Sequence, residues 1–73
     1  MKEEEFKKSI GSVLKEAREA RGYSQQQVAD RLGVTKQAIS MWERGVRMMN
    51  AKDLGDYCDY LGISIDAVFR RMK

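Results

Sequence analysis

Lys36, Gln37, Ser40, Met41 and Arg44 recur at spacings that put them on one side of a short helix. Their chemistry is that of reading, not of bond making. Glutamine can bond adenine in two places, and lysine can donate to guanine O6 and N7. A methionine can lie against a thymine methyl. The groups that catalysis favours are scarce. The 73 residues include no histidine, so the usual base near neutral pH is missing. Cys58 is the only cysteine and has no activating partner in the sequence, and no glycine-rich phosphate loop or zinc-spaced ligand set is present. Asp53, Asp56 and Asp59 recur at i, i+3, i+6. They are read as a solvated helix face that would turn polyanions away, not as a metal site. The expectation is a chain with no enzymatic activity, cofactor or metal.

A face of this kind works only if neighbouring elements hold it. Three segments share one formula of glycine, apolar residue and hydroxyl residue: Gly22-Tyr23-Ser24, Gly33-Val34-Thr35 and Gly62-Ile63-Ser64. Glycine ends a helix by adopting the left-handed conformation after the last turn. The hydroxyl starts the next helix by accepting a bond from a free backbone N–H. The residue between them packs on an apolar residue inside the new helix. This pairs Tyr23 with Val28, Val34 with Ile39, and Ile63 with Val68. Met49-Asn50 opens a fourth helix in the same way toward Leu54, and Ser24 with Gln27 has the spacing of a capping box.

Five helices follow and no strand. Helix one starts at Glu3 or Phe6 and ends near Arg21, with Ile10, Val13, Leu14 and Ala17 as its apolar stripe. Gly11 weakens its middle, so residues 1–9 are expected to be a charged extension that frays, and residues 10–73 the folded domain. The others run from Gln25 to Leu32, Lys36 to Arg44, Ala51 to Leu61, and Ile65 to about Arg70. Val28, Ala29, Leu32, Val34, Ile39 and Trp42 are the inward positions of helices two and three. Ala29 must be small for the two to cross closely. Trp42 is read as a packing anchor toward helix four, because a duplex offers no splayed base to stack on it. Helix four buries Leu54, Tyr57, Cys58 and Leu61, with Cys58 as a small apolar residue.

Charge is uneven along the chain. Residues 11–50 carry +3, residues 51–68 carry −3, and Arg70, Arg71 and Lys73 return +3. This polarity suits a protein with one face toward a polyanion. A lone cysteine, no secretory signal at the N-terminus and no apolar run of roughly 20 residues lead to the expectation of a cytoplasmic protein.

Residues 14–69 resemble the lambda-repressor-like helix-turn-helix family, also called the XRE or Cro/C1-type family. The matching stretches are Leu14-Lys-Glu-Ala-Arg18, Arg21-Gly-Tyr-Ser-Gln25, Val28-Ala-Asp-Arg-Leu-Gly-Val-Thr35, Ile39-Ser-Met-Trp-Glu-Arg-Gly45, Leu54, and Leu61-Gly-Ile-Ser-Ile-Asp66. The resemblance implies an all-α fold of five packed helices, with helices two and three forming the helix-turn-helix. It implies DNA binding as a two-fold homodimer on a pseudo-palindromic operator, and the leading expectation is a sequence-specific transcriptional regulator, a repressor ahead of an activator. Position by position it puts Lys36, Gln37, Ser40 and Met41 at base edges and Gln25, Thr35, Arg44, Gly45 and Arg47 at backbone phosphates. Gln25 would also brace the first residues of helix three, and Arg18 and Glu43 would bridge helix one to its end.

The sequence departs from the family in Val46-Arg47-Met48-Met49-Asn50, where many relatives carry a proline. Met49 is explained by packing on helix four. Met48 has no such explanation and either meets a partner or stands exposed. Relatives often carry a second, effector-binding or oligomerisation domain. This sequence stops three residues after Arg70, so the expectation is that such a function is absent or comes from another polypeptide. A dimer interface is expected at the end of helix four and helix five, with Val68, Phe69 and Met72 partly exposed. The alternative is an antitoxin or adaptor that uses the same fold to bind a protein, such as a cognate toxin.

Overall fold

Four helices begin at side-chain caps. In a computed structural model that describes residues 2–72, Ser24, Thr35, Asn50 and Ser64 each have extended backbone. Each accepts a bond from the N–H three residues on, at 2.8–3.1 Å. Ser24 and Gln27 complete a reciprocal capping box, with the Ser24 N–H donating to Gln27 Oε1 at 2.7 Å. Gly33 and Gly62 close the preceding helices with φ of 70°. At these two turns a side chain would be strained, which is why the formula needs glycine there. Lys73, counted above in the basic tail, lies outside the described residues.

The elements are α1 (Glu3–Ala20), α2 (Gln25–Leu32), α3 (Lys36–Glu43), α4 (Ala51–Leu61) and α5 (Ile65–Arg71). No strand occurs among the described residues. α1 begins without a side-chain cap, but Glu3, Glu4 and Glu5 lie at its positive end. α3 packs on both α1 and α2, α4 covers α2 and α1, and α5 returns to α1. The core joins Ile10, Leu14, Val28, Ala29, Ile39, Trp42, Tyr57, Cys58, Leu61 and Val68. Burial pushes the Cys58 thiol upward, which keeps it protonated and unreactive near neutral pH. Asp56 pairs with Lys52 at 2.8 Å on the exposed side of α4.

α1 runs unbroken through Gly11, and the reason lies in another helix. A Cβ on Gly11 would overlap the Trp42 carbonyl and come within 2.7 Å of the Glu43 carbonyl oxygen. Gly45 answers it from the other side, with φ of 74° and Lys8 Cα 2.6 Å from where its Cβ would be. The two glycines let the backbone of α1 meet the end of α3 directly.

Two further expectations change. Val68 is fully buried against the core, so it belongs to no exposed interface. It occupies the inward position four residues after its cap, as the staple pattern itself requires. Phe69, 46% exposed, and the half-buried Met72 remain at the surface, and Phe69 meets Phe6 of α1 at 6.3 Å between ring centroids. Met48 is not an isolated exposed methionine. It is half-buried against the core of its own chain and lines a cleft of about 320 Å³ with Trp42 and Arg47.

Candidate nucleic-acid interface

α3 is divided lengthwise. Ile39 and Trp42 are buried, whereas Lys36 and Gln37 are exposed and Ser40 and Met41 half-buried beside them. Thr35 holds the start of the helix by capping Ala38, and its hydroxyl remains at the surface. Arg44 follows the last turn and donates from Nε to Ser40 Oγ at 3.2 Å, which leaves the rest of its guanidinium free to point outward. Arg47 is exposed three residues further. Among the described residues, no hydrogen bond or ion pair engages the side chains of Lys36, Gln37 or Arg47. The surface is thus polar, basic and unspent at its centre.

Gly45 has a different setting from the arginines around it. It is buried against Lys8, and its N–H donates to the Trp42 carbonyl at 3.2 Å. Beside it Val46 is 57% exposed, an apolar residue between Arg44 and Arg47 that the sequence reading passed over. The signal was the glycine itself: a backbone turned at Gly45 throws the next side chain outward.

Behind this face lies a buried polar cluster. The Arg18 guanidinium grips Glu43 with two bonds, Nε to Oε2 at 2.7 Å and Nη2 to Oε1 at 3.0 Å. Its third nitrogen donates to the Tyr23 carbonyl at 2.7 Å. Gln25 Nε2 donates to Glu43 Oε1 at 3.1 Å, so this side chain braces the last residue of α3 and not the first. The Tyr57 hydroxyl donates to Glu43 Oε2. Burial works to raise the Glu43 carboxyl, but bonds from Arg18, Tyr57 and Gln25 outweigh it and hold the group below the usual carboxylate range. The same bond to Glu43 raises the Arg18 guanidinium, and burial beside the carboxylate raises the Tyr57 phenol far out of reach of neutral pH.

Tyr57 is the member that the sequence reading missed, since it was counted only as part of the apolar stripe of α4. A buried tyrosine, however, needs a partner for its hydroxyl, and that requirement was a usable signal. Every buried side-chain nitrogen or oxygen among the described residues has a partner. The cluster is therefore a closed network in which α1, α2 and α4 each contribute a donor to one carboxylate at the end of α3.

An exposed polar face on a helix whose opposite side is locked in place suits insertion into a groove. Comparison with known proteins bears on what kind of protein carries it. A helix-turn-helix family model matches residues 14–68. The SPbeta prophage-derived uncharacterized HTH-type transcriptional regulator YonR of Bacillus subtilis (strain 168) is 38% identical over 61 residues, which are 84% of this chain and 56% of that protein. The chain thus spans a little over half the length of this relative. A crystal structure of the clp gene regulator ClgR from Corynebacterium glutamicum superposes with a TM-score of 0.86 at 25% identity, covering 89% of this chain and 69% of that one. A second crystal structure of ClgR gives 0.84 at the same identity, covering 89% and 84%. No helix among the described residues is long and apolar enough to cross a membrane. With five helices in this order and a family match over three-quarters of its length, the chain belongs to the XRE/Cro-C1-type helix-turn-helix family of DNA-binding transcriptional regulators.

Proposed function

We propose that this chain is a sequence-specific regulator, acting as a repressor, that lays α3 in the major groove of double-stranded DNA. The observation that carries the reading is the division of α3. Lys36 and Gln37 stand exposed and unengaged while Ile39 and Trp42 anchor the opposite side. In this reading Lys36, Gln37, Ser40 and Met41 meet base edges. Gln25, Thr35, Arg44 and Arg47 hold phosphates on either side, and Gly45, buried with its N–H already given to Trp42, sets the turn that carries Arg44 and Arg47. Salt dependence follows from those contacts, because each neutralised phosphate releases counterions.

One copy measures 31 × 21 × 20 Å and presents a single α3. Two copies with their helices about 34 Å apart would read successive turns of the groove. The apolar surface of Phe69 and Ile65, 46% and 39% exposed, supports α5 as the place where the copies meet.

The test is selection of bound sequences from a random duplex library at two salt concentrations. A two-fold symmetric motif is the expected result. Binding without enrichment, steeply lost with salt, would reduce the reading to phosphate contact alone. No binding at either salt would transfer the fold to a protein partner, such as a toxin held by an antitoxin.

A further inference from the structure

Glu43 is an expensive residue where it stands. It is a carboxylate at the C-terminal end of a helix, where the backbone dipole disfavours an anion, and it is only 6% exposed. Buried ion pairs are seldom the most stable choice for a site, and an apolar replacement of similar volume often does as well or better. The cluster earns its place through geometry. A carboxylate only accepts, so each donor around it is fixed by the lone pair left to it. Arg18 occupies one lone pair on each oxygen and sets the plane of the group. The second position on Oε2 is taken by Tyr57 and the second on Oε1 by Gln25.

Tyr57 and Gln25 share this carboxylate through different oxygens, with no hydrogen bond between them. Tyr57 has no exposed surface, and a leucine would fill the same stripe of α4 without a hydroxyl to satisfy. Gln25 is half-exposed at the start of α2. One N–H of its amide is given to Glu43, and no other hydrogen bond engages that amide among the described residues. We propose that Tyr57 is a positioning residue for DNA binding: by filling Oε2 of Glu43 it keeps Oε1 for Gln25, and so aims the free amide N–H of Gln25 at a backbone phosphate. The proposal rests on the DNA-binding reading above. Without the hydroxyl, Oε2 is left short of a donor in a buried place. The carboxylate is then held by Arg18 and Gln25 alone, and the pair can shift toward the unfilled side, so that Gln25 loses the fixed place of its acceptor.

The experiment is Tyr57→Phe in the full chain, read in two ways. The first is the side-chain amide NMR signal of Gln25 without DNA, identified by its loss in Gln25→Ala. That signal is expected to move in Tyr57→Phe, while those of Gln26 and Gln37 stay and backbone spectra show an intact fold. The second is affinity for a duplex taken from the random-library selection. Gln25→Ala is expected to weaken binding roughly fivefold in the native chain and less than about twofold in the Tyr57→Phe background. A Tyr57 that only stabilises the fold would lower the melting temperature, leave the Gln25 signal in place and give equal losses in both backgrounds. That result overturns the proposal while DNA binding stands. A Gln25 signal that moves in a chain that binds no duplex overturns the DNA-binding reading, and the phosphate-aiming role with it.

Discussion

The two polar regions of α3 are opposites. At its start and along its outer side, Lys36 and Gln37 carry polar groups that no other residue engages among those described, in contact with solvent. At its end, Glu43 accepts from three side chains on three other helices and is almost sealed from water. A helix of eight residues cannot hold its own geometry in water, since isolated helices of that length are marginal. Its outward side chains stay free because the far end is tied down elsewhere. The comparison separates groups kept available for another molecule from groups used to aim them, and it predicts that changes in the two regions fail in different assays.

The largest effect is expected from cutting the tie. Arg18→Ala leaves the Glu43 carboxylate buried without its main partner, and should cost about 3–5 kcal/mol of stability. Urea unfolding checks it, and a loss below 1 kcal/mol would mean that Glu43 finds water when Arg18 is gone. Gly11→Ala is the next sharpest test, because its sign is diagnostic. In an ordinary helix the change stabilises by about 1 kcal/mol. Here the methyl meets the carbonyls of Trp42 and Glu43, and a loss of about 1–3 kcal/mol is expected in the same unfolding assay.

The exposed region should answer only to DNA. Arg47→Glu is expected to leave stability within about 0.5 kcal/mol, to weaken binding to all duplexes alike, and to lower the salt slope by about one. Filter binding at several salt concentrations reads both quantities. Gln37→Ala should leave the fold and the salt slope alone and relax preference at one base position, worth roughly 1–3 kcal/mol. Repeating the random-library selection on this variant measures it, and an unchanged motif would remove Gln37 from the base edge. The smallest effect is acidic. Because the Glu43 carboxyl lies below its unfolded value, its contribution to stability is full above the ordinary glutamate range, near pH 4.3, and is lost as pH falls through the folded value. Glu43→Gln should flatten the stability curve on its acid side, below the ordinary glutamate range, and urea unfolding as a function of pH checks it.

Much of this was legible in the sequence wherever the cause was local. The caps at Ser24, Thr35, Asn50 and Ser64 and the turns at Gly33 and Gly62 depend on residues within a few positions of one another, and types and spacing sufficed. The helix ends that these caps and turns set fell within about one residue for the same reason, whereas the start of α1, which has no side-chain cap, was left between Glu3 and Phe6. What escaped was set across the fold. Gly11 read as a weak point because nothing near it in sequence says that the end of α3 presses on it. Tyr57 read as core because periodicity reports the direction of a side chain and not what its tip meets. Val68 was placed at an interface although its own staple position pointed inward, a case where a guess about partners overrode a local rule. The outer face of α3 was legible as residues and as exposure, but a sequence of base pairs cannot be read from side chains that bond more than one base.

Trp42 gives the molecule a built-in gauge. It is the chain's single tryptophan, 6% exposed, with its ring behind the reading face and against the cleft that Arg47 and Met48 share. Its emission therefore reports on one place only. Burial of the ring is expected to hold that emission to the blue in the native chain and to let it move to the red when α3 leaves the core. An Arg47 that swings toward a phosphate changes the field at the indole without exposing it, so docking and unfolding alter the same light in different ways. Both events can be followed on the unlabelled protein.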